Sequence, residues 1–334
     1  MNVLITSVGR RAYMIKFFKE ILAGGEVHVC NSDDKTVAFR YADKAVVSPL
    51  IYDENYIPFI LDYCRNNNIG MVISLFDIDL LMLARAKKEF EAIGTTLVVS
   101  DEAVIEICND KWKTYEFLRD NGFKTPCTYI DEKEVVECID RGNISFPIVV
   151  KPRFGCGSIG IEIAENMEEL RFYASKLKRL IEKTYLKYES AACKDIVIFQ
   201  ECIDGQEYGA DVMNDLDGNY RALCIRKKLA MRAGETDIAE IVDNAAISET
   251  CKRLSTALGH IGNLDTDLFV KGDDVYVLEL NARFGGGYPF SHAAGVNMLK
   301  ALVMWKNKET VPDSLLQAKV GIRGYKELLV TNEF

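Results

Sequence analysis

Short apolar runs alternate with amphipathic patterns through the first 108 residues. The run at 3–5 predicts a buried strand, and similar runs predict strands at 27–29, 45–47, 71–73 and 97–99. Between these runs, the spacing of apolar residues predicts helices over 10–22, 54–67 and 77–91. Strands that alternate with helices indicate βαβ units, so we predict a Rossmann-like α/β domain with a parallel sheet.

The turns after these strands carry polar residues. Residues 7–10, 31–33 and 76–77 each follow a predicted strand, and parallel sheets bind ligands beyond the carboxyl ends of their strands. We therefore expect the three turns to surround one crevice. The first turn contains Gly9 without the G-x-G-x-x-G pattern, so the fingerprint of a nicotinamide dehydrogenase is absent.

From residue 109 onward, predicted strands no longer alternate regularly with predicted helices. Helical patterns extend to Gly122 and over 166–189, and a further helix is predicted near 246–260. Apolar runs predict strands at 148–151, 196–199, 208–212, 220–224, 268–270 and 275–278. Turn residues at 217–218 and 272–274 indicate hairpins, so this half is predicted to be α+β with antiparallel pairing.

The charge and residue composition of the chain argue against several classes of function. The 334 residues include 41 Lys and Arg against 50 Asp and Glu, a net charge of −9, which argues against nucleic-acid or anionic-membrane partners. No apolar run is long enough to span a membrane. The first apolar run precedes the basic pair at 10–11, the reverse of a secretory signal. Ten cysteines without a C-x-x-C pair fit a cytoplasmic protein, and three dispersed histidines make a zinc enzyme improbable.

A lysine and a glycine-rich loop follow the predicted strand at 148–151. Lys151 stands at the strand end, and Gly155, Gly157 and Gly160 fall within the loop 153–160. Such a loop lets backbone N–H groups converge on phosphate oxygens, and the lysine adds a positive charge. The loop lacks the G-K-[ST] ending of a Walker A motif, and a plain flexible hairpin loop is the alternative interpretation.

Polar residues on later strands suggest nucleotide and metal binding. Glu201 leaves one apolar strand and Glu207 enters the next, where they could bind the base and sugar of a nucleotide. The residues Glu279, Asn281 and Arg283 share one face of an extended segment, because the side-chain period of a strand is two. With Asp267 they form an oxygen-rich set that suits Mg²⁺. A solvated sheet face fits the same pattern.

Taken in order, these motifs resemble the ATP-grasp superfamily. Within it, the closest resemblance is to stand-alone relatives of the large subunit of carbamoyl phosphate synthase. It is carried by Asn109-Asp110-Lys111 with Gly122 and Pro126, and by Glu279-x-Asn281-x-Arg283 before three glycines. The resemblance implies an N-terminal Rossmann-like domain over 1–108, followed by a two-lobed ATP-grasp fold with lobes over 109–194 and 195–334.

The resemblance also implies roles for individual residues. The phosphates of ATP would be held by Lys111, Lys151, Gly155, Gly157 and Ser158. The adenosine would be bound by Gln200, Glu201, Cys202, Ile203 and Glu207. Magnesium, with manganese as an alternative, would be bound by Asp267, Glu279 and Asn281. Catalysis would involve Arg283, Lys151 and Arg226, the last in a segment where relatives meet the acceptor carboxylate or the γ-phosphate. Asp267 stands where the synthase commonly has glutamine.

The function implied is that of an ADP-forming ligase. It would activate a small carboxylate as an acyl phosphate for attack by an amine. A carbamoyl phosphate synthase-like or bicarbonate-activating enzyme is one alternative, although the chain lacks the second half of that synthase. A non-catalytic ATP-binding regulatory module is another. The identity of the acid and amine and the oligomeric state, a homodimer included, stay open.

Overall fold

The first sheet is parallel and five-stranded. The structure is a computed structural model that describes residues 1–330. Its first five strands are β1 Asn2–Thr6, β2 Val27–Asn31, β3 Lys44–Val47, β4 Ile69–Ser74 and β5 Thr96–Val98. They pair in the order β3-β2-β1-β4-β5, and every adjacent pair is parallel. The predicted Rossmann-like sheet is therefore confirmed.

Helices connect and flank these strands. They are α1 Ala12–Ile21, α2 Tyr56–Asn66, α3 Asp77–Arg85, α4 Lys87–Ala92, α5 Glu102–Asn109 and α6 Lys111–Asp120, with a 3-10 turn at Val37–Arg40. The prediction of one helix over 77–91 was wrong, because Ala86 closes α3 with a tight turn. The Ala86 N–H reaches the carbonyls of Met82 and Leu83 at 3.3 and 3.1 Å, and a new helix starts at the next residue.

A four-stranded antiparallel sheet follows. Its elements are β6 Thr128–Tyr129, α7 Glu132–Asp140, β7 Ile148–Pro152, β8 Glu162–Ala164, α8 Met167–Lys183, α9 Leu186–Glu189 and β9 Val197–Glu201. The strand order is β6-β9-β7-β8. The helix predicted over 166–189 is interrupted at Thr184, whose extended backbone ends α8.

The third sheet is antiparallel and has six strands. Its strands are β10 Gln206–Asn214, β11 Tyr220–Arg232, β12 Glu235–Val242, β13 Asn263–Lys271, β14 Asp274–Asn281 and β15 Arg323–Tyr325, in the order β14-β13-β10-β11-β12-β15. Both predicted hairpins are confirmed, β10–β11 and β13–β14. The sequence patterns missed β12, β15 and the second half of β11. The remaining helices are α10 Ala245–Leu258, α11 Tyr288–Ala293 and α12 Met298–Lys306, with a 3-10 turn at Asp313–Leu315.

The hydrophobic cores show how the sheets are joined. Two cores run between the parallel sheet and the six-stranded sheet, one of them with α10 and the other with α11 and α12. The four-stranded sheet and α8 have a separate core. This smaller unit also contacts the parallel-sheet region, since the Tyr52 ring stacks on Tyr188 with centroids 4.4 Å apart and its hydroxyl donates to Glu189 at 2.7 Å. Within residues 1–330, no helix is both long and apolar enough to cross a membrane.

Candidate functional site

A cavity of about 420 Å³ lies where the three sheets meet. Its walls come from the turn after β1, the turn after β4, the glycine-rich loop, strands β11, β13 and β14, and the glycine turn after β14. Most side chains that face it are charged. A larger cavity of about 870 Å³ lies elsewhere, beside Tyr220 and Trp305, and no predicted site residue lines it. We therefore place the candidate site at the smaller, charged cavity.

Two lysines lie next to this cavity, around a smaller one that shares Ser158 and Glu279 with it. Lys111 Nζ lies 3.1 Å from Glu279 Oε1 and also donates to the carbonyl of Gly155. Lys151 Nζ donates to Gln200 Oε1 at 2.7 Å. Burial lowers the pKa of Lys151 to about 8. Burial opposes the ionisation of Glu279, but the charges of Lys111 and Lys151 outweigh it and lower its pKa.

A third lysine bridges two carboxylates. Lys228 Nζ, on β11, lies 2.6 Å from both Glu207 Oε1 and Asp267 Oδ1. Burial opposes the positive charge of Lys228, but Asp267 and Glu207 outweigh it and raise its pKa. Burial also raises the pKa of Asp267 to about 6, although Lys228 acts in the opposite direction. The lysine is therefore the counterion of these two carboxylates in this structure.

Arg283 joins the parallel-sheet region to the six-stranded sheet. Its Nη2 and Nε donate to Asp77 Oδ2 at 2.9 and 3.2 Å, and its Nη1 donates to Asp265 Oδ2 at 3.2 Å. Nη2 also donates to Asn281 Oδ1 at 3.1 Å. Because Asp77 begins α3 just after β4, a residue of the parallel-sheet region fixes the orientation of this arginine.

Arg226 lies beside Arg283 and shares Asp265 with it. Its side chain is 2% exposed, and its guanidinium donates to Asp265 Oδ1 at 2.9 Å and Ser291 Oγ at 3.0 Å and pairs with Asp211. Its Nε has no hydrogen-bond partner among the described residues. The arginine thus retains one unsatisfied donor in a charged site.

The glycine turn after β14 passes between charged side chains. A Cβ on Gly285 would lie 1.8 Å from Asp265 Oδ2, and one on Gly287 would lie 2.6 Å from Arg226 Nε. A Cβ on Gly286 would meet the Glu235 carboxylate at 3.2 Å. Glycine is needed here because any side chain would displace a charged group from the cavity.

The glycine-rich loop 153–160 joins β7 to β8. Gly155, Gly157 and Gly160 all have positive φ, between 68° and 101°, which favours glycine. Lys111, Lys151, Gly155 and Ser158 meet Glu279 around a small cavity of about 20 Å³ under this loop. Gly157 and Ser158 also line the main cavity. The predicted phosphate-binding residues therefore come together, while their roles stay predictions.

The residues predicted to bind adenosine do not line the main cavity. Gln200 contacts Lys151, and Glu201 Oε2 accepts from the Cys127 N–H at 3.2 Å, but neither lines the main cavity. Cys202 and Ile203 follow in the turn between β9 and β10, where Ile203 is buried. Glu207 alone of this group reaches the cavity charges, through Lys228. Their roles toward a nucleotide stay predictions.

The predicted metal ligands face each other across two strands. Asp267 on β13 pairs in register with Glu279 on β14, and Asp265 pairs with Asn281. Among residues 1–330, no group of three or more His, Cys, Asp or Glu side chains is arranged to hold a metal. Two carboxylates and one amide oxygen nevertheless fit Mg²⁺, which proteins bind through one or two carboxylates together with substrate phosphates and water.

Three charged residues of this site had no individual role predicted from the sequence. Asp77, Asp265 and Lys228 all line or bound the cavity, and each pairs with a predicted site residue. Asp77 stands in one of the turns that were predicted to surround the crevice, but no individual role was predicted for it. Asp265 and Lys228 stand two residues from Asp267 and Arg226, so the strand period could have placed each pair on one face.

Comparison with known proteins identifies the family. A family profile described as an ATP-grasp domain matches residues 108–287, more than half of the chain, and one described as PylC-like, N-terminal domain matches residues 3–98. The chain therefore belongs to the ATP-grasp family, whose fold binds ATP. It is 26% identical over 259 residues to a carbamoyl-phosphate synthase from Methanobrevibacter smithii, with 71% of this chain and 64% of that relative covered. The predicted similarity to carbamoyl phosphate synthase is confirmed, although the chain spans less than two thirds of this relative's length.

Solved structures of the same fold support this assignment. The L-amino acid ligase from Bacillus licheniformis has a TM-score of 0.73 and 20% identity, with 98% of this chain and 81% of that chain covered. The biotin carboxylase domain dimer of 2-oxoglutarate carboxylase from Hydrogenobacter thermophilus, in complex with MgADP, ADP and bicarbonate, has a TM-score of 0.72 and 17% identity. The match covers 93% of this chain and 70% of that chain. At these sequence identities, the similarity shows only that the fold is shared. The domain boundaries at 108 and 194 stay predictions.

Proposed function

We propose that the protein is an ADP-forming ligase that joins a small carboxylic acid to an amine. The observation that carries this proposal is the charge arrangement of the cavity. Lys111 and Lys228 are each paired with carboxylates, at 3.1 and 2.6 Å, where a metal–triphosphate would supply the replacement partners for both. Arg283 stands beside them, held by Asp77 and Asp265.

The chemistry follows from these charges. A carboxylate is a weak electrophile, and transfer of the γ-phosphoryl of ATP to one of its oxygens releases ADP and creates a good leaving group. Lys111, Lys151 and Arg283 would offset the negative charge on the transferring phosphoryl. The amine then attacks the acyl carbon, phosphate leaves, and a proton is lost from nitrogen. The glycine-rich loop over the cavity would limit hydrolysis of the acyl phosphate by water.

We assign the metal to Asp267, Glu279 and Asn281. When bound there, Mg²⁺ would neutralise phosphate charge during transfer. One structurally similar protein is in complex with MgADP, and nothing in the comparisons supports the Mn²⁺ alternative. Lys228 would have to leave Asp267 before the metal could approach that carboxylate. Its long side chain could then turn to a phosphate oxygen.

Bicarbonate activation is the second candidate reaction. The relative named as a carbamoyl-phosphate synthase favours it, as does the similar structure in complex with bicarbonate. Bicarbonate would take the place of the carboxylic acid next to Arg283. Stimulation of ADP release by bicarbonate alone, without a carboxylic acid, would favour this candidate over the ligase.

Location and assembly are proposed on separate grounds. All ten cysteines are free thiols in the structure, which fits a protein of the reducing cytoplasm. One similar structure is described as a dimer, so a homodimer is our proposal for the assembly. Size-exclusion chromatography with light scattering would test it.

The principal experiment measures ADP release with a panel of small acids, each with and without a panel of amines. We expect release to require both an acid and Mg²⁺, and Glu279→Ala to reduce it by about 100-fold or more. Glu137→Ala is the matched control, since Glu137 is an exposed residue of α7 that pairs only with Arg141 among the described residues. Full turnover by Glu279→Ala would overturn the metal assignment. ATP binding without ADP release under every condition would identify a regulatory module.

A further inference from the structure

The cavity has a further group of lining residues, which come from outside the strands that carry Lys228 and the predicted metal ligands. We call it the acceptor end and define it by Arg10, Arg11, Phe76, Glu235 and Gly286, all of which line the cavity. The two arginines follow β1, and Glu235 begins β12. The residues thus come from both large sheets, and no chemical role was predicted for the basic pair from the sequence.

Most cations elsewhere in the cavity are matched by carboxylates. Arg283 pairs with Asp77 and Asp265, and Arg226 pairs with Asp211 and the same Asp265. Lys111 and Lys228 are likewise paired with carboxylates, whereas Lys151 donates to Gln200. Apart from Lys151, which we assign to the phosphates, these cations already have anionic partners.

Arg11 is different. Its partly buried guanidinium donates to two backbone carbonyls, that of Leu75 and that of Phe284, the latter at 3.4 Å. No carboxylate of residues 1–330 lies within 4 Å of it. Glu235, the acidic residue of this end, is shared by Lys326 at 2.9 Å and Arg10 at 3.8 Å. The acceptor end thus carries an excess of positive charge.

We infer that the acid accepted by this protein carries a second anionic group, a carboxylate or a phosphate, which binds Arg11 with assistance from Arg10. This inference rests on the proposed ligase function. An arginine oriented by backbone carbonyls is already fixed in position, so it would bind a planar carboxylate or a phosphate at a small cost in side-chain entropy. One anionic group would then face Arg283 for phosphorylation, and the other would fix the orientation of the substrate.

The test uses pairs of probes that differ in one anionic group. Succinate is compared with succinamate, and phosphoserine with serine, first by calorimetric binding in the presence of a non-hydrolysable ATP analogue and then by ADP release with ATP. We expect each dianionic probe, or the one that matches the natural group, to bind at least about 10-fold more tightly than its partner. The succinate and phosphoserine pairs distinguish a carboxylate from a phosphate.

Two variants test whether Arg11 causes the preference for dianionic probes. Arg11→Gln keeps hydrogen-bond donors for the two carbonyls, and we expect it to abolish the preference while leaving affinity for the ATP analogue unchanged. Arg65→Gln, on the exposed face of α2, is the matched control and should keep the preference. A wild-type protein that binds neither dianion, or binds each dianion no better than its partner, would overturn the inference, and so would equal loss for both probes in Arg11→Gln.

The two proposals fail separately. A dianion preference that depends on Arg11 but brings no ADP release would contradict the ligase function and keep the anion site. ADP release with singly charged acids, unaffected by Arg11→Gln, would support the ligase function and contradict the anion site.

Discussion

The two large sheets contribute functional side chains in different ways. In the parallel sheet, the residues that reach the cavity, such as Arg11 and Asp77, lie beyond strand ends. In the six-stranded sheet, the cavity residues lie along the strands, as Lys228, Asp267 and Glu279 do. Helices and hydrophobic cores cover both faces of a parallel sheet, so only its edge is free, whereas alternate residues of an antiparallel strand can face a polar cavity. The first sheet can orient groups, and the second can supply a charged surface.

The strongest test of this difference compares Arg283 with Asp77. We expect Arg283→Gln to lower kcat for ADP release by about 100- to 1000-fold, because the variant loses charge at the transferring phosphoryl. Asp77→Asn should cost only about 10-fold, since it weakens the hydrogen bonds that orient Arg283 without removing the arginine. The double variant should then be no worse than Arg283→Gln alone.

Additive losses in that double variant would show that Asp77 acts independently of Arg283. The parallel-sheet region would then contribute directly to the reaction. Asp62→Asn is the matched control, because Asp62 is an exposed carboxylate of the same region that pairs with Arg65.

Substitution of Lys228 tests the role of the charged surface along the strands of the six-stranded sheet. In the absence of nucleotide, Lys228→Met leaves Glu207 and Asp267 without their shared counterion, so we expect the free energy of unfolding to fall by about 2 kcal/mol. Added Mg²⁺ should stabilise this variant more than the wild type, which chemical denaturation with and without Mg²⁺ would measure.

Lys228→Arg keeps the charge and should retain most of the stability. Lys133→Met, at an exposed position of α7, controls for the loss of a lysine as such. Equal responses of Lys228→Met and wild type to Mg²⁺ would indicate that Lys228 and the metal do not compete for the same carboxylates.

The smallest expected effect concerns the pH dependence at Lys151, in the four-stranded sheet. Its pKa of about 8 means that its positive charge is lost as pH rises through 8, so affinity for ATP should fall about fourfold between pH 7 and 8.5. The folded protein binds fewer protons at this lysine than the unfolded chain does between pH 8 and 10.5. This group therefore adds stability as pH rises, and weaker binding would not reflect unfolding.

Calorimetric titration of ATP across this pH range is the measurement. Lys151→Arg stays charged and should lose this component of the pH dependence. A wild-type affinity that does not change with pH would contradict the assignment of a phosphate contact to Lys151.

Much of the fold follows from local pattern. Four of the five parallel strands have short apolar runs that are largely buried, and β3 is mostly exposed. Such runs can be recognised in the sequence without reference to the rest of the chain. Strands β12 and β15 were missed for the opposite reason. Segment 235–242 mixes charged and apolar residues, and its strand conformation depends on pairing with β11 and with β15, which is more than 80 residues further along.

The amino-acid pattern was enough to predict the types of chemical group in the site: the lysines, the glycine-rich loop, and the carboxylates and arginine at 267–283. Which of these groups are paired depends on the three-dimensional fold. Asp77 and Arg283 are 206 residues apart in the chain, yet their side chains are 2.9 Å apart. Pairing decides where charge is balanced, as at Lys228, and where it is in excess, as at Arg11. Electrostatic interactions depend on distance in space, which the order of residues along the chain does not specify.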